Sequence, residues 1–425
     1  MARRKKRPRD FDGEPHSGHC DCGTGIFVEA ARHALKVFLF ILIVSLAIGL
    51  LIYFVGEENI YDFSLGNPNV PAPSYIKEAV LDIFDTVPTQ KIHSYTVAPG
   101  NPEVREILAK DINRRFGTHF TKDNLFMTAG AAASISITFK ALAEPGDEFV
   151  IVAPFFPEYR PFVEATGARL VVVPAQVEDF QINMDLFERA LTRHTKGVIV
   201  NSPNNPSGAI YSEETIRALS ALLLRKEKEY GHPIYIISDE PYREIAYHGY
   251  EVPYIPLYYK DTIVCYSYSK SFSLPGERIG YIVIPSEVTG FEKVYPAICG
   301  AARVLTHVNA PSLWQLVVAR CAGKPTDAEP YRINGELLYQ GLIGVGFTCL
   351  RPQGAFYLFP KCLEEDDHAF CKRAMKYDLL LVPGTDFGVP GYFRASYCIN
   401  RDTIKRSLPL FRKLAEEYGV KPGGV

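Results

Sequence analysis

Residues 267–281 read SYSKSFSLPGERIGY, directly after the apolar run TIVCY at 262–266. Lys270 therefore follows a stretch that reads as a buried strand, with Ser267 and Ser269 before it and Arg278 eight residues later. A lone lysine is ordinarily a solvated surface residue. Here the apolar run carries it into a crevice, where a partly desolvated amine has a lowered pKa and can act as nucleophile or Schiff-base former. The two hydroxyls and the guanidinium are donors suited to a phosphate.

Outward from this stretch, short Val- and Ile-rich runs recur at 148–154, 169–175, 197–203, 234–240, 262–269 and 280–285. Amphipathic segments separate them, such as Ser212 to Tyr230 with Leu219, Leu222, Leu223 and Leu224 on its apolar side. This alternation predicts an α/β fold: a mostly parallel sheet covered by helices on both faces. After about residue 300 the pattern shifts to long helices with few strands, predicting a second, smaller α+β region. Candidate chemistry collects at strand ends, where open α/β sheets bind ligands. Ser202–Gly208 (SPNNPSG) is a sharp turn that places amides there. Asp239 and Tyr242 offer a carboxylate for a protonated ring nitrogen and a phenol for a ring oxygen. Thr128–Ser134 (TAGAAAS) is a small-residue loop before an apolar helix, open to an anion at the helix N-terminus.

Taken in order, small-residue loop, Asn turn, Asp-x-x-Tyr and Ser-x-Ser-Lys with Arg, these motifs make residues 60–418 resemble a class I/II aminotransferase of the fold-type-I pyridoxal-phosphate enzymes. The resemblance implies a cofactor-binding domain at 96–300, a small domain at 301–425 and an N-terminal arm at 57–95. It implies pyridoxal 5'-phosphate as cofactor and Lys270 as the lysine that forms a Schiff base with it and shuttles the substrate proton. Asp239 would face the pyridine nitrogen, while Tyr242 and Asn205 would face the ring oxygen. Phe156 would stack on the ring. Ala131, Ala132, Ser267, Ser269 and Arg278 would cradle the phosphate. Arg394 would clamp the substrate α-carboxylate as a bidentate fork, with Gly66 and Asn205 beside it, although an arginine in a late strand is ordinarily part of a surface ion pair. Tyr95 would reach the phosphate of a neighbouring subunit, implying a homodimer with shared sites. Gly354–Tyr357 (GAFY) resembles a motif near the substrate entrance.

The implied reaction moves an amino group between an L-amino acid and a 2-oxo acid with ping-pong kinetics. A second cation for a side-chain carboxylate is not fixed by any motif; Arg160 and Arg303 are the available guesses. A β-C–S lyase could share the same cofactor site. Cystathionine, and aspartate with 2-oxoglutarate, separate the two: pyruvate release marks the lyase and glutamate formation the transferase.

The composition suits such a body. With 46 Lys+Arg against 48 Asp+Glu and 47% hydrophobic residues, the chain is neither disordered nor a strongly basic nucleic-acid binder. The N-terminus departs from that average. Residues 1–9 (MARRKKRPR) are basic, and 37–55 (VFLFILIVSLAIGLLIYFV) lack any charge, long enough to span a bilayer as a helix. A buried helix or a signal-peptide core are the alternatives. Between them, His16, His19, Cys20 and Cys22 could hold a soft metal or lie in a disordered linker. This segment supports a third reading, a membrane metal-handling or transport fragment fused to an aminotransferase-like domain. The expectation is a single-pass membrane protein with its catalytic body in the cytoplasm, although the basic flank by itself predicts the body on the other side. A soluble cytoplasmic enzyme is the alternative if the segment is a chimeric addition.

Overall fold

Seven strands form the central sheet in the order β1-β7-β6-β5-β4-β2-β3. They are β1 (Leu125–Thr128), β2 (Glu148–Val152), β3 (Arg169–Val173), β4 (Thr195–Asn201), β5 (Tyr235–Asp239), β6 (Thr262–Ser267) and β7 (Gly280–Val283). The computed structural model describes residues 60–420. The basic tail, the predicted span at 37–55 and His16, His19, Cys20 and Cys22 lie outside the described residues.

Each Val- and Ile-rich run forms a strand where the pattern predicts it. Most are buried along their whole length, as expected of strands covered on both faces. The edge strand β3 instead has mixed burial, with Arg169 at the surface against Glu148 of β2. The sheet is mixed rather than uniformly parallel. β7 runs antiparallel to both β6 and β1, while β2, β3, β4, β5 and β6 pair in parallel. The cause is the link between β6 and β7. Residues 268–279 hold only the short helix Tyr268–Ser271 and turn the chain back beside β6, whereas a parallel return needs a full crossover. That tight return places Lys270 at the end of β6 and brings Arg278 back towards it.

The helix predicted from Ser212 runs Glu213–Tyr230, with the Ser212 side chain accepting from Thr215 N–H at 3.1 Å. Leu219, Leu222 and Leu223 are buried on its inner face, but Leu224 projects to solvent. Towards the C-terminus, Phe393–Ser396 is the central strand of a three-stranded antiparallel sheet, between Val382–Pro383 and Tyr357–Leu358. Tyr61–Asp62 pairs in parallel with Leu379–Leu380. The helices Glu329–Ile343 and Arg401–Glu417 flank this region. Among the described residues seven cysteines are unpaired.

The membrane placement requires correction. Among the described residues no helix is long and apolar enough to cross a membrane. The long helices, such as Arg401–Glu417, are amphipathic and carry a charged outer face. The run at 37–55 lies outside the residues to which this applies, so the described structure lends the single-pass membrane placement no support, and that placement is withdrawn.

Candidate active site

Lys270 is the third residue of the four-residue helix that closes β6, whose start is capped by Ser267 accepting from Ser269 N–H at 3.1 Å. Its Nζ donates to Gly66 O at 2.7 Å and lies 5.4 Å from the centroid of the Phe356 ring. Burial pushes the amine down to about 8; the nearby Cys398 opposes the shift, and the cations Arg278 and Arg394 add to it. At neutral pH a larger share of this amine is therefore unprotonated than of a surface lysine.

On the adjacent strand, Asp239 ends β5 and is 5% exposed. Its Oδ2 accepts from the Tyr159 hydroxyl and from Asn201 Nδ2 at 3.4 Å, while its Oδ1 is buried without a hydrogen-bond partner. Burial raises the carboxyl to about 7; the Tyr159 bond opposes this and the charge of Glu240 adds to it. The folded apoprotein holds this proton up to about pH 7, whereas the unfolded chain releases it near 3.8. Stability contributed by Asp239 is thus present below pH 3.8 and lost as pH rises towards 7. Asp239→Asn is expected to flatten the thermal-unfolding profile of the apoprotein in that window, measured by calorimetry across pH.

Ser267 Oγ lies 2.8 Å from Ser269 Oγ, and Arg278 Nη1 donates to Ser269 Oγ at 3.3 Å. The helix Ala131–Leu142 begins beside them, after Gly130 at φ +87°. A Cβ at Gly130 would stand 2.6 Å from Arg278 Nη2, so glycine is required there both for the backbone and for the approach of the guanidinium. Ala131 is half-buried and Ala132 exposed at the start of this helix.

Arg394 lies on the strand Phe393–Ser396 and is nine-tenths buried. It donates from Nη1 to Asn205 Oδ1 at 3.1 Å and from Nη2 to Ser64 O, and its guanidinium lies 4.9 Å from the Tyr357 ring and 4.8 Å from the Phe387 ring. Its Nε is buried and has no partner. Asn205 is held in turn by its N–H donating to Asn201 Oδ1 at 2.8 Å. The Tyr242 and Tyr357 hydroxyls lie 3.0 Å apart. A Cβ at Gly66 would fall 2.1 Å from Tyr357 Oη. Gly66→Ala is accordingly expected to displace that hydroxyl and the carbonyl that receives Lys270. The change should raise the amino-acid KM roughly tenfold, the effect of about one hydrogen bond, with Michaelis kinetics as the check.

Shared partners thus link Lys270, Gly66, Tyr242, Asp239, Asn205 and Arg394, and the Ser267, Ser269, Arg278 group adjoins the Lys270 turn. Phe156 joins through Tyr159, its ring 5.6 Å away and edge-on. Tyr95 is not brought to this cluster within the chain: its side chain is 89% exposed. Arg160 pairs with Glu164 at 3.2 Å, and Arg303 is exposed. Sequence reasoning missed Tyr159 and Asn201 as functional side chains, and reached Tyr357 only as part of the GAFY motif. Tyr159 stands in the same APFFPEY turn as Phe156, and Asn201 ends β4 as Asp239 ends β5, so the rule that found Asp239 also points to Asn201.

The sequence pattern of the family described as aminotransferase class I and II matches residues 58–408. The aspartate/prephenate aminotransferase of Thermus thermophilus is 29% identical over 82% of this chain and 89% of its own. A probable enzyme of the same description from Thermus aquaticus is 31% identical over 81% and 89%. Among solved structures, an aminotransferase from Eubacterium rectale is 49% identical, with a TM-score of 0.85 over 93% of this chain and 96% of its own. The chain therefore belongs to the class I and II aminotransferases and is a pyridoxal-phosphate-dependent transaminase.

Proposed function

We propose that Lys270, Asp239, Arg278 and Arg394 divide the work of moving an amino group between an L-amino acid and a 2-oxo acid. The observation that carries this reading is the pairing of a desolvated lysine amine with a buried carboxylate whose Oδ1 has no protein partner. The residues fit the family cofactor. Asp239 Oδ1 can accept from a protonated pyridine nitrogen, and a positive charge there offsets the burial of the carboxylate. Arg278, Ser267, Ser269 and the N–H groups at Ala131 and Ala132 offer a cation and several donors to a phosphate. Tyr242 and Asn205 can donate to a ring oxygen, and Phe156 can flank the ring. Bound pyridoxal phosphate supplies an electron sink that makes the α-proton of the amino acid removable.

The side chains around it do the positioning and the proton transfer. Arg394 fixes the α-carboxylate as a fork, with its buried Nε free to take part. Lys270 Nζ, held by Gly66 O beside the substrate position, accepts the α-proton in its neutral form and returns it on the other side of the transfer. Tyr159 and Asn201 hold Asp239 in one orientation. Amino acid enters and 2-oxo acid leaves before the second 2-oxo acid binds, which gives ping-pong kinetics. No observation favours the β-C–S lyase or the membrane transport alternative.

The exposed Tyr95 suits a contact made outside its own chain, and a homodimer with Tyr95 at the partner site is part of this reading. With it goes the division into an arm and part of the small domain at 57–95, a cofactor-binding domain at 96–300 and a small C-terminal domain at 301–425. The experiment is the isolated half-reaction. Cofactor-loaded protein mixed with an L-amino acid should lose its near-visible absorbance and release one 2-oxo acid per site, and a 2-oxo acid should restore the band. Release of pyruvate from cystathionine with no such cycle would sink the reading.

A further inference from the structure

A cavity of about 260 Å³ lies behind the turn that carries Lys270, and none of the residues placed above in the catalytic cluster lines it. β6, β7 and the Lys270 turn supply one side of it with Tyr266, Tyr281, Tyr268 and Phe272. Tyr266 stacks on Tyr281 with ring centroids 4.8 Å apart, and Tyr268 on Phe272 at 5.1 Å, so this side is aromatic. The helix Pro102–Phe116 brings Arg115 and the segment after β5 brings Glu244, paired with each other at 2.7 Å. The link between the helices Ser312–Arg320 and Glu329–Ile343 closes the cavity and adds Lys324. That link is fixed in place. The Tyr75 hydroxyl donates to Pro325 O at 2.8 Å, and Gly323, at φ +77°, packs so that a Cβ would fall 2.5 Å from Arg114 Nη2.

Polar groups face this space without partners. Glu244 Oε1 takes the Arg115 contact, whereas its Oε2 is buried and has no hydrogen-bond partner. Tyr268 and Tyr281 are each 6% exposed, and neither hydroxyl is hydrogen-bonded among the described residues. Neither is sealed in as the Tyr254 hydroxyl is, so both open on the cavity. Tyr266, by contrast, is satisfied by donating to Ser271 Oγ at 2.9 Å.

These groups define a ligand. A buried acceptor left unpaired costs about 1–3 kcal/mol, more for a charged group, so Glu244 Oε2 calls for a donor from outside the chain. The Arg115–Glu244 and Arg114–Asp111 pairs cancel, which leaves the exposed Lys324 as the uncompensated charge and calls for an anion. The aromatic side favours a flat apolar body. Sites for drug-sized molecules run to about 300–1,000 Å³, so the volume suits something smaller. We propose that this cavity is a second, non-catalytic site for a free α-amino acid with an aromatic side chain. The ammonium meets Glu244 Oε2, the carboxylate meets Lys324 and the ring lies against the tyrosines. The bound molecule thereby rests on Tyr268 and Phe272, which stand on either side of Lys270 in the chain.

The test is equilibrium binding of L-phenylalanine, by calorimetry, to holoenzyme whose cofactor has been fixed with borohydride so that no amino group is transferred. One saturable site per chain is expected, and it should persist in Arg394→Ala, which lacks the catalytic carboxylate clamp. 3-Phenylpropanoate, without the ammonium, and L-alanine, without the ring, should bind roughly tenfold more weakly. Glu244→Gln should weaken L-phenylalanine by the same roughly tenfold, the worth of one charge-assisted hydrogen bond. Lys324→Ala should weaken it by roughly threefold, as an exposed ion pair does, and should leave 2-phenylethylamine, which has no carboxylate, unaffected. Lys324 is at the surface, so that variant folds even if Glu244→Gln does not. No uptake of L-phenylalanine would leave the cavity to water and overturn the proposal. Loss of uptake in Arg394→Ala would overturn it by placing the amino acid at the catalytic site alone, as would full-strength binding in both Glu244→Gln and Lys324→Ala.

Discussion

Lys270→Ala is expected to lower transamination by at least about 10⁴-fold, the upper end of what one positioned acid–base group supplies. The magnitude follows from the double use of this side chain, which both holds the cofactor and moves the proton. No neighbour can replace it. Among the cations beside it, Arg278 is committed to the Ser269 group and Arg394 to Asn205 and Ser64, and a guanidinium cannot deprotonate in this range. The variant should still fold, because Lys270 is half-buried and its one hydrogen bond goes to a backbone carbonyl. Near-visible absorbance after cofactor addition and steady-state rates would measure the effect. Wild-type rates in Lys270→Ala would contradict the assignment.

Arg394→Ala is expected to lower kcat/KM for both the amino acid and the 2-oxo acid, since each carries the carboxylate that the guanidinium clamps. Truncating one partner of a buried, hydrogen-bonded charge pair costs about 2–5 kcal/mol, which corresponds to roughly 30- to 4,000-fold. Arg394→Lys should recover little, because a point charge cannot reproduce the fork or lie flat between the Tyr357 and Phe387 rings. Cofactor absorbance should survive in both variants, which separates this role from that of Lys270. An unchanged KM for both substrates would remove Arg394 from the substrate site.

The sequence made some parts of this picture legible and hid others, for physical reasons. Strands β2 to β6 were readable because a sheet covered on both faces demands long Val and Ile runs. Lys270, Asp239 and Asn205 were readable because each sits where such a run stops. The reversal of β7 was not, since GYIVIP is equally apolar in either direction and only the short link after Lys270 decides it. Tyr159 carried no local signal of its own, and its role emerges only when the chain folds so that its hydroxyl meets Asp239 across 80 positions. Arg394 was reached through the family resemblance and not through local spacing, since its partners Asn205 and Ser64 lie 189 and 330 residues away. The apolar run at 37–55 was the most conspicuous local signal, yet the site is assembled entirely from residues beyond it.

The central claim, that Lys270 is the residue on which the chemistry turns, is tested most directly by reductive trapping. The cofactor-loaded protein is treated with borohydride, digested and mapped by mass spectrometry. The pyridoxyl-phosphate mass increment is expected on the peptide containing Lys270 and on no other. An increment on a different lysine, or none on a protein that is active before reduction, would contradict it.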